Sequence, residues 1–162
     1  MNKFAILAQF ELQTSWFLNT LEGISDAESN LQVAENLNPI KWIVGHLISC
    51  RSTLLIALGK QSNFTQYHTL FGKGSSNKMG AATPDLETIK TDWLSVSVDL
   101  KATLHNTSEE QLSAKAPFQT SIPDETLLGL FAFFAIHEGF HIGQLSILRK
   151  QLGKTVMLMS RR

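Results

Sequence analysis

Apolar residues recur every three or four positions in four long stretches of the chain, and no stretch shows the sustained alternation of a strand bounded by hairpin turns. The pattern predicts an all-α fold. In the first stretch Phe4, Leu7, Phe10, Thr14, Phe17 and Leu21 share one stripe, closed by Gly23 as a breaker. The second opens with Asn38 as N-cap and Pro39 at the first helical position, and aligns Ile40, Val44, Leu47, Arg51, Leu54 and Leu58 up to Gly59. Arg51 is the odd member and is expected where the stripe meets solvent. The third follows Thr83-Pro84 and an acidic first turn, Asp85 and Glu87, with Leu86, Ile89, Trp93, Val96, Leu100 and Leu104 on its stripe. The fourth follows Pro123-Asp124-Glu125 and runs through Leu127, Leu130, Phe134, Leu145, Leu148 and Leu152 to Gly153.

The connections are long, about 16 to 24 residues where 2 to 8 is usual between helices, so simple up-down-up-down wiring is not forced. Two of them look alike: Ser25-Asp26-Ala27-Glu28 and Ser108-Glu109-Glu110-Gln111 both read as capping boxes that start a short turn. The middle connection, Lys60 to Ala82, holds Phe71-Gly72-Lys73-Gly74-Ser75-Ser76-Asn77-Lys78. It lacks the Gly-x4-Gly-Lys-Ser/Thr spacing of a phosphate loop and a preceding strand, and reads as a mobile surface turn.

Composition narrows the classes. A chain of 162 residues with 43% hydrophobic and 17% charged residues is one domain, 1–162, with a sizeable apolar interior or interface. Fourteen basic residues balance fourteen acidic ones, which argues against nucleic acid; the only basic clusters are Arg149-Lys150 and Arg161-Arg162. The lone Cys50 forms no internal disulfide. The apolar run after Lys3 ends too early for a secretion signal, and Leu127 to Ile136 is half of the ~20 residues a membrane span requires. The expectation is a cytoplasmic protein without membrane contact, in which the sequons at Asn63 and Asn106 are coincidence.

The chemistry concentrates in His137-Glu138-Gly139-Phe140-His141-Ile142-Gly143-Gln144. On a helix His141 lies about 40 degrees from His137, with Gln144 about 20 degrees to its other side, so the three share an apolar stripe. Two buried imidazoles side by side need partners, and a divalent metal supplies them at this spacing. Chance, or a pair of hydrogen-bonded core histidines, gives the same pattern. A third ligand must come from elsewhere, and His46, on a flank with Trp42 and Cys50, is the best candidate. His68 in a loop and His105 at a helix end are expected to meet solvent. Cys50 is within reach of a shared ion but reads as a small buried hydrophobe, and stays outside the ligand set. Glu138 is either a general base on water at the metal or a solvent-facing residue, and Gln144 either orients a ligand or substrate or satisfies a neighbouring backbone. Ala132, Ala135, Gly139, Gly143 and Ser146 form a small-residue stripe that another helix could approach closely, within the chain or across a dimer.

Taken together, these residues resemble the DinB-like superfamily of metal-binding four-helix bundles, which also holds bacillithiol transferases and mycothiol-dependent maleylpyruvate isomerases. The resemblance is carried by Asn38-Pro39-Ile40-Lys41-Trp42-Ile43-Val44-Gly45-His46-Leu47, similar to a Trp-x3-His-Leu segment, and by His137-x3-His141-x-Gly143-Gln144 followed by Leu148-Arg149 and Gly153. It implies an up-down-down-up bundle with the long second connection as crossover. It also implies that His46, His137 and His141 ligate a divalent metal ion, zinc or nickel, whose remaining positions stay open to water or a small-molecule substrate. Two readings follow: a metal-dependent hydrolase or thiol S-transferase, with Glu138 and Gln144 as candidate catalytic residues, or a non-catalytic, stress-related metal- or ligand-binding bundle. Metal ligation by Cys50 would favour the second. Low charge, the small-residue stripe and the apolar tail Val156-Met157-Leu158-Met159 lead to the expectation of a two-fold homodimer.

Overall fold

The computed structural model describes residues 2–159 and is all-helical, with no strand among the described residues. The expected basic pair Arg161-Arg162 lies outside them. Four long helices, α1 (Lys3–Leu21), α3 (Ile40–Ala57), α5 (Leu86–Asn106) and α7 (Leu127–Gln151), alternate with three short ones, α2 (Asp26–Ser29), α4 (Gln66–Phe71) and α6 (Glu109–Ser113). Helix α1 packs on α5 and α7, and α3 packs on the same two, so the long helices enclose one core with α1 and α3 on opposite corners.

Local signals set most boundaries. Both predicted capping boxes exist: the Ser25 hydroxyl accepts from the Glu28 N–H and the Ser108 hydroxyl from that of Gln111, with both reciprocal side-chain bonds made. Gly23, Gly59 and Gly153 all sit at positive φ, where a residue with a Cβ is strained. After α3, Lys60 N–H reaches back to Leu55 O, and after α7, Lys154 N–H to Arg149 O, the six-to-one bond that ends a helix at a left-handed glycine. Three starts are shifted from expectation. Asn38 does not cap α3: Pro39 takes the cap position without a side-chain bond, and Asn38 accepts instead from Asn77. Asp85 caps α5 through Thr88 N–H and Thr126 caps α7 through Gly129 N–H, one to three residues beyond the prolines that suggested these ends.

Arg51 corrects the expectation that it meets solvent, being 1% exposed. Its guanidinium grips both Glu138 oxygens, at 2.9 and 2.6 Å, and donates to Thr14 Oγ1, Ser97 Oγ and the Phe10 carbonyl. It also lies 3.7 Å over the Trp93 ring, which stacks on Phe17. One residue thus ties all four long helices together, and its charge is matched where water does not reach.

The small-residue stripe of α7 is an intrachain contact at its first half. Ala132 and Ala135 are buried, Gln13 of α1 donates to the Ala135 carbonyl at 2.7 Å, and a Cβ on Gly139 would meet Gln13. A different face of α7 is uncovered: Ile136, Phe140 and Ile147 are each more than half exposed, and a Cβ on Gly143 would meet nothing. Helix α3 is long and apolar enough to cross a membrane by composition, but 83% of that window is buried in the bundle, as in a core helix.

Candidate metal centre

Helices α3 and α7 face one another, and this brings His46 to His137 and His141, which lie one turn apart on α7. The three offer ligand nitrogens that all lie within 4.8 Å of one another. His137 Nε2 and His141 Nε2 are 3.2 Å apart, the spacing of a shared hydrogen bond and also of two ligands about 2.1 Å from one ion.

The other face of two rings is fixed. His46 Nδ1–H donates to the Phe71 carbonyl at 2.9 Å, and His141 Nδ1–H to Gln144 Oε1 at 2.7 Å. Because a carbonyl can only accept, both rings hold their proton on Nδ1 and turn an Nε2 lone pair towards the cluster. Trp42 stacks on His46 with ring centroids 5.0 Å apart, and its own N–H is anchored on Ser75 Oγ. Burial pushes the imidazoles of His46, His137 and His141 down, His141 to about 4. Neutral rings with aimed lone pairs are what a divalent cation requires, so the donor set fits a metal.

The two helix-α7 histidines are half-buried rather than sunk in the interior. His137 borders a cavity of about 740 Å³ whose wall also includes His46, His68 and Lys73 from the middle connection, Phe118 to Ser121 from the connection before α7, and Phe133 and Phe134. Gln144 accepts the His141 Nδ1–H bond described above. Glu138 fits neither of its expected roles. It is 2% exposed, so it does not face solvent, and both its oxygens are taken by Arg51, so no free carboxylate serves as a base. Burial raises its carboxyl against the pull of that guanidinium. Cys50 Sγ lies 3.5 Å from His46 Nε2 and 3.9 Å from His137 Nδ1 but is not part of the three-residue cluster. Burial keeps the thiol protonated by pushing its pKa far up.

His105 is exposed, as expected, but His68 is not the loop residue the sequence suggested. It sits in α4, its Nδ1 2.9 Å from Ser49 Oγ and its Nε2 3.1 Å from Ser52 Oγ. The supposed surface turn therefore supplies the Phe71 carbonyl, His68 and Lys73 to the site. The overlooked signal is the spacing of Phe64, Tyr67 and Phe71, all buried, which marks a short amphipathic helix inside the connection.

Residues 9–145 match the family model of the DinB superfamily, a span that takes in all three histidines and Gln144. No curated protein matches the chain.

Proposed function

This chain belongs to the DinB superfamily, and from that premise we propose that it is a metal-dependent enzyme acting on a small molecule, a hydrolase or a thiol S-transferase. The observation that carries the reading is the convergence of His46, His137 and His141, with His46 and His141 fixed from behind, beside an open cavity. His46, His137 and His141 would hold the ion, zinc or nickel. When bound, such an ion supplies Lewis acidity and favours the deprotonated form of a water or thiol. The chain's own part is positional: Phe71 and Gln144 hold two of the rings in register, and Phe133 and Phe134 keep one side of the cavity dry. Glu138 has no part in proton transfer in this reading. The non-catalytic alternative calls for a fourth protein ligand closing the site, and Cys50 is the residue placed to provide it.

Metal analysis of the purified protein tests the ligand set. His46→Ala, His137→Ala and His141→Ala are each expected to lose the bound ion and the thermal stability it confers, while His105→Ala keeps both. Equal metal content in all four variants would reject the assignment. A screen of low-molecular-weight thiols against electrophilic acceptors, with hydrolysis of small esters and amides in parallel, separates the two enzyme classes; a Cys50→Ala variant that loses the metal would support the closed site.

The family resemblance also supports an up-down-down-up course for the long helices, with the connection between α3 and α5 as crossover, and a cytoplasmic setting suits the unpaired thiol of Cys50. Pairing of two copies is proposed through the uncovered face of α7, where Ile136, Phe140, Gly143 and Ile147 form a stripe without charge.

A further inference from the structure

We propose that the cavity beside the three histidines takes a ligand with an apolar, ring-sized body and an anionic group, the body lying against Phe118, Phe133 and Phe134 and the anion drawn to Lys73 and the Ser49 hydroxyl. None of the residues lining this cavity is acidic. Lys73 is exposed on its wall and has no ion-pair partner among the described residues. In a chain with equal numbers of acidic and basic residues, an acid-free cavity bearing an unmatched cation is a local departure that favours negative charge.

The second argument is a hydrogen-bond chain that ends at the cavity. Ser62 Oγ lies 2.7 Å from Ser52 Oγ, Ser52 Oγ 3.1 Å from His68 Nε2, and His68 Nδ1 2.9 Å from Ser49 Oγ. Such a chain polarises in either direction, because each hydroxyl both donates and accepts and the ring has two tautomers. An anion at Ser49 selects one direction: Ser62 donates to Ser52, Ser52 to His68 Nε2, and His68 Nδ1–H to Ser49, leaving the Ser49 hydrogen for the ligand. Burial keeps His68 neutral, so Lys73 supplies the full charge and Ser49 the aimed donor. Part of the cavity wall is aromatic, with Phe133 set edge-on to Phe134 at a centroid distance of 5.5 Å and Phe118 edge-on to Phe134 at 6.4 Å.

The inference deepens the enzyme reading by naming the substrate class of the same site, but the anion contacts themselves need no metal. Phenylacetate and its neutral isostere phenylacetamide are the probes, titrated by NMR into metal-free and zinc-loaded protein. The acid is expected to bind at least about threefold more tightly than the amide in both forms, with the preference shrinking as salt is added. Lys73→Gln should remove that preference and Lys73→Arg retain it; both changes are at an exposed side chain and leave the fold intact. Equal affinities for acid and amide, no binding of either, or a preference indifferent to Lys73→Gln would overturn the subsite. A preference seen only with zinc and unaffected by Lys73→Gln would leave the metal site standing and reject the anion subsite. A Lys73-dependent preference in a protein that takes up no zinc would do the reverse.

Discussion

Burial, together with the neighbouring His137 ring, disfavours the charged form of the His141 imidazole and outweighs the opposing hydrogen bond to Gln144, which places the folded pKa at about 4. In an unfolded chain the same ring titrates near 6.5. Between those two values the unfolded state binds the extra proton, so the stability of the metal-free protein falls as pH drops from about 6.5 towards about 4 and loses nothing further to this group below that. His46 and His137, also pushed down by burial, act in the same direction. Urea unfolding of the metal-free protein at pH 7 and pH 5 measures it: the wild type should lose more stability over that interval than His141→Gln. An equal loss in both would mean that His141 is not buried as a neutral ring.

Helix α4 is built around a contact that a side chain on α3 would destroy. A Cβ at Gly45 would sit 2.5 Å from the ring of Phe71, a residue with no exposed surface. Gly45→Ala gains about 1 kcal/mol of helix propensity but overpacks a filled site at about 1 to 3 kcal/mol, so a net loss of about 1 kcal/mol is expected. Because the displaced residue also holds His46 through its carbonyl, metal affinity should fall with it. Chemical denaturation and metal titration of the variant check both effects, and wild-type metal affinity at reduced stability would show that the carbonyl does not position His46. This element also shows where sequence reading ran out. The capping boxes of α2 and α6 and the glycines after α1, α3 and α7 were legible because each acts within a few residues of itself. His137 and His141 were legible for the same reason, being one turn apart. The bond from His46 to Phe71 spans 25 residues and that from Arg51 to Glu138 spans 87, so no local pattern announces them. Arg51 accordingly read as a residue at the solvent edge, and Glu138 as either a base at the metal or a solvent-facing residue, until their partner was in view.

At the scale of the whole molecule, the bundle closes its core yet leaves one stripe of α7 bare. Ile136, Phe140, Gly143 and Ile147 span about 16 Å of helix, and a stripe that pairs with its own copy needs no second kind of surface. Light scattering across a dilution series is expected to report twice the 18.0 kDa chain mass. Phe140→Glu should raise the dissociation constant at least about tenfold while helicity is retained, since that ring is 63% exposed and meets His141 edge-on within its own helix. A mass of one chain at micromolar concentration would reject the pairing.

The clasp of Arg51 on Glu138 also bears on how such a chain changes through descent. Either charge left alone in that dry interior costs about 3 to 5 kcal/mol, a large share of the 5 to 15 kcal/mol that holds a domain folded, whereas an apolar pair of similar volume is tolerated. A lineage altering one position alone passes through a poorly folded ancestor. The two sites are therefore expected to be inherited as a unit, both charged or both apolar, however widely the cavity beside them diversifies.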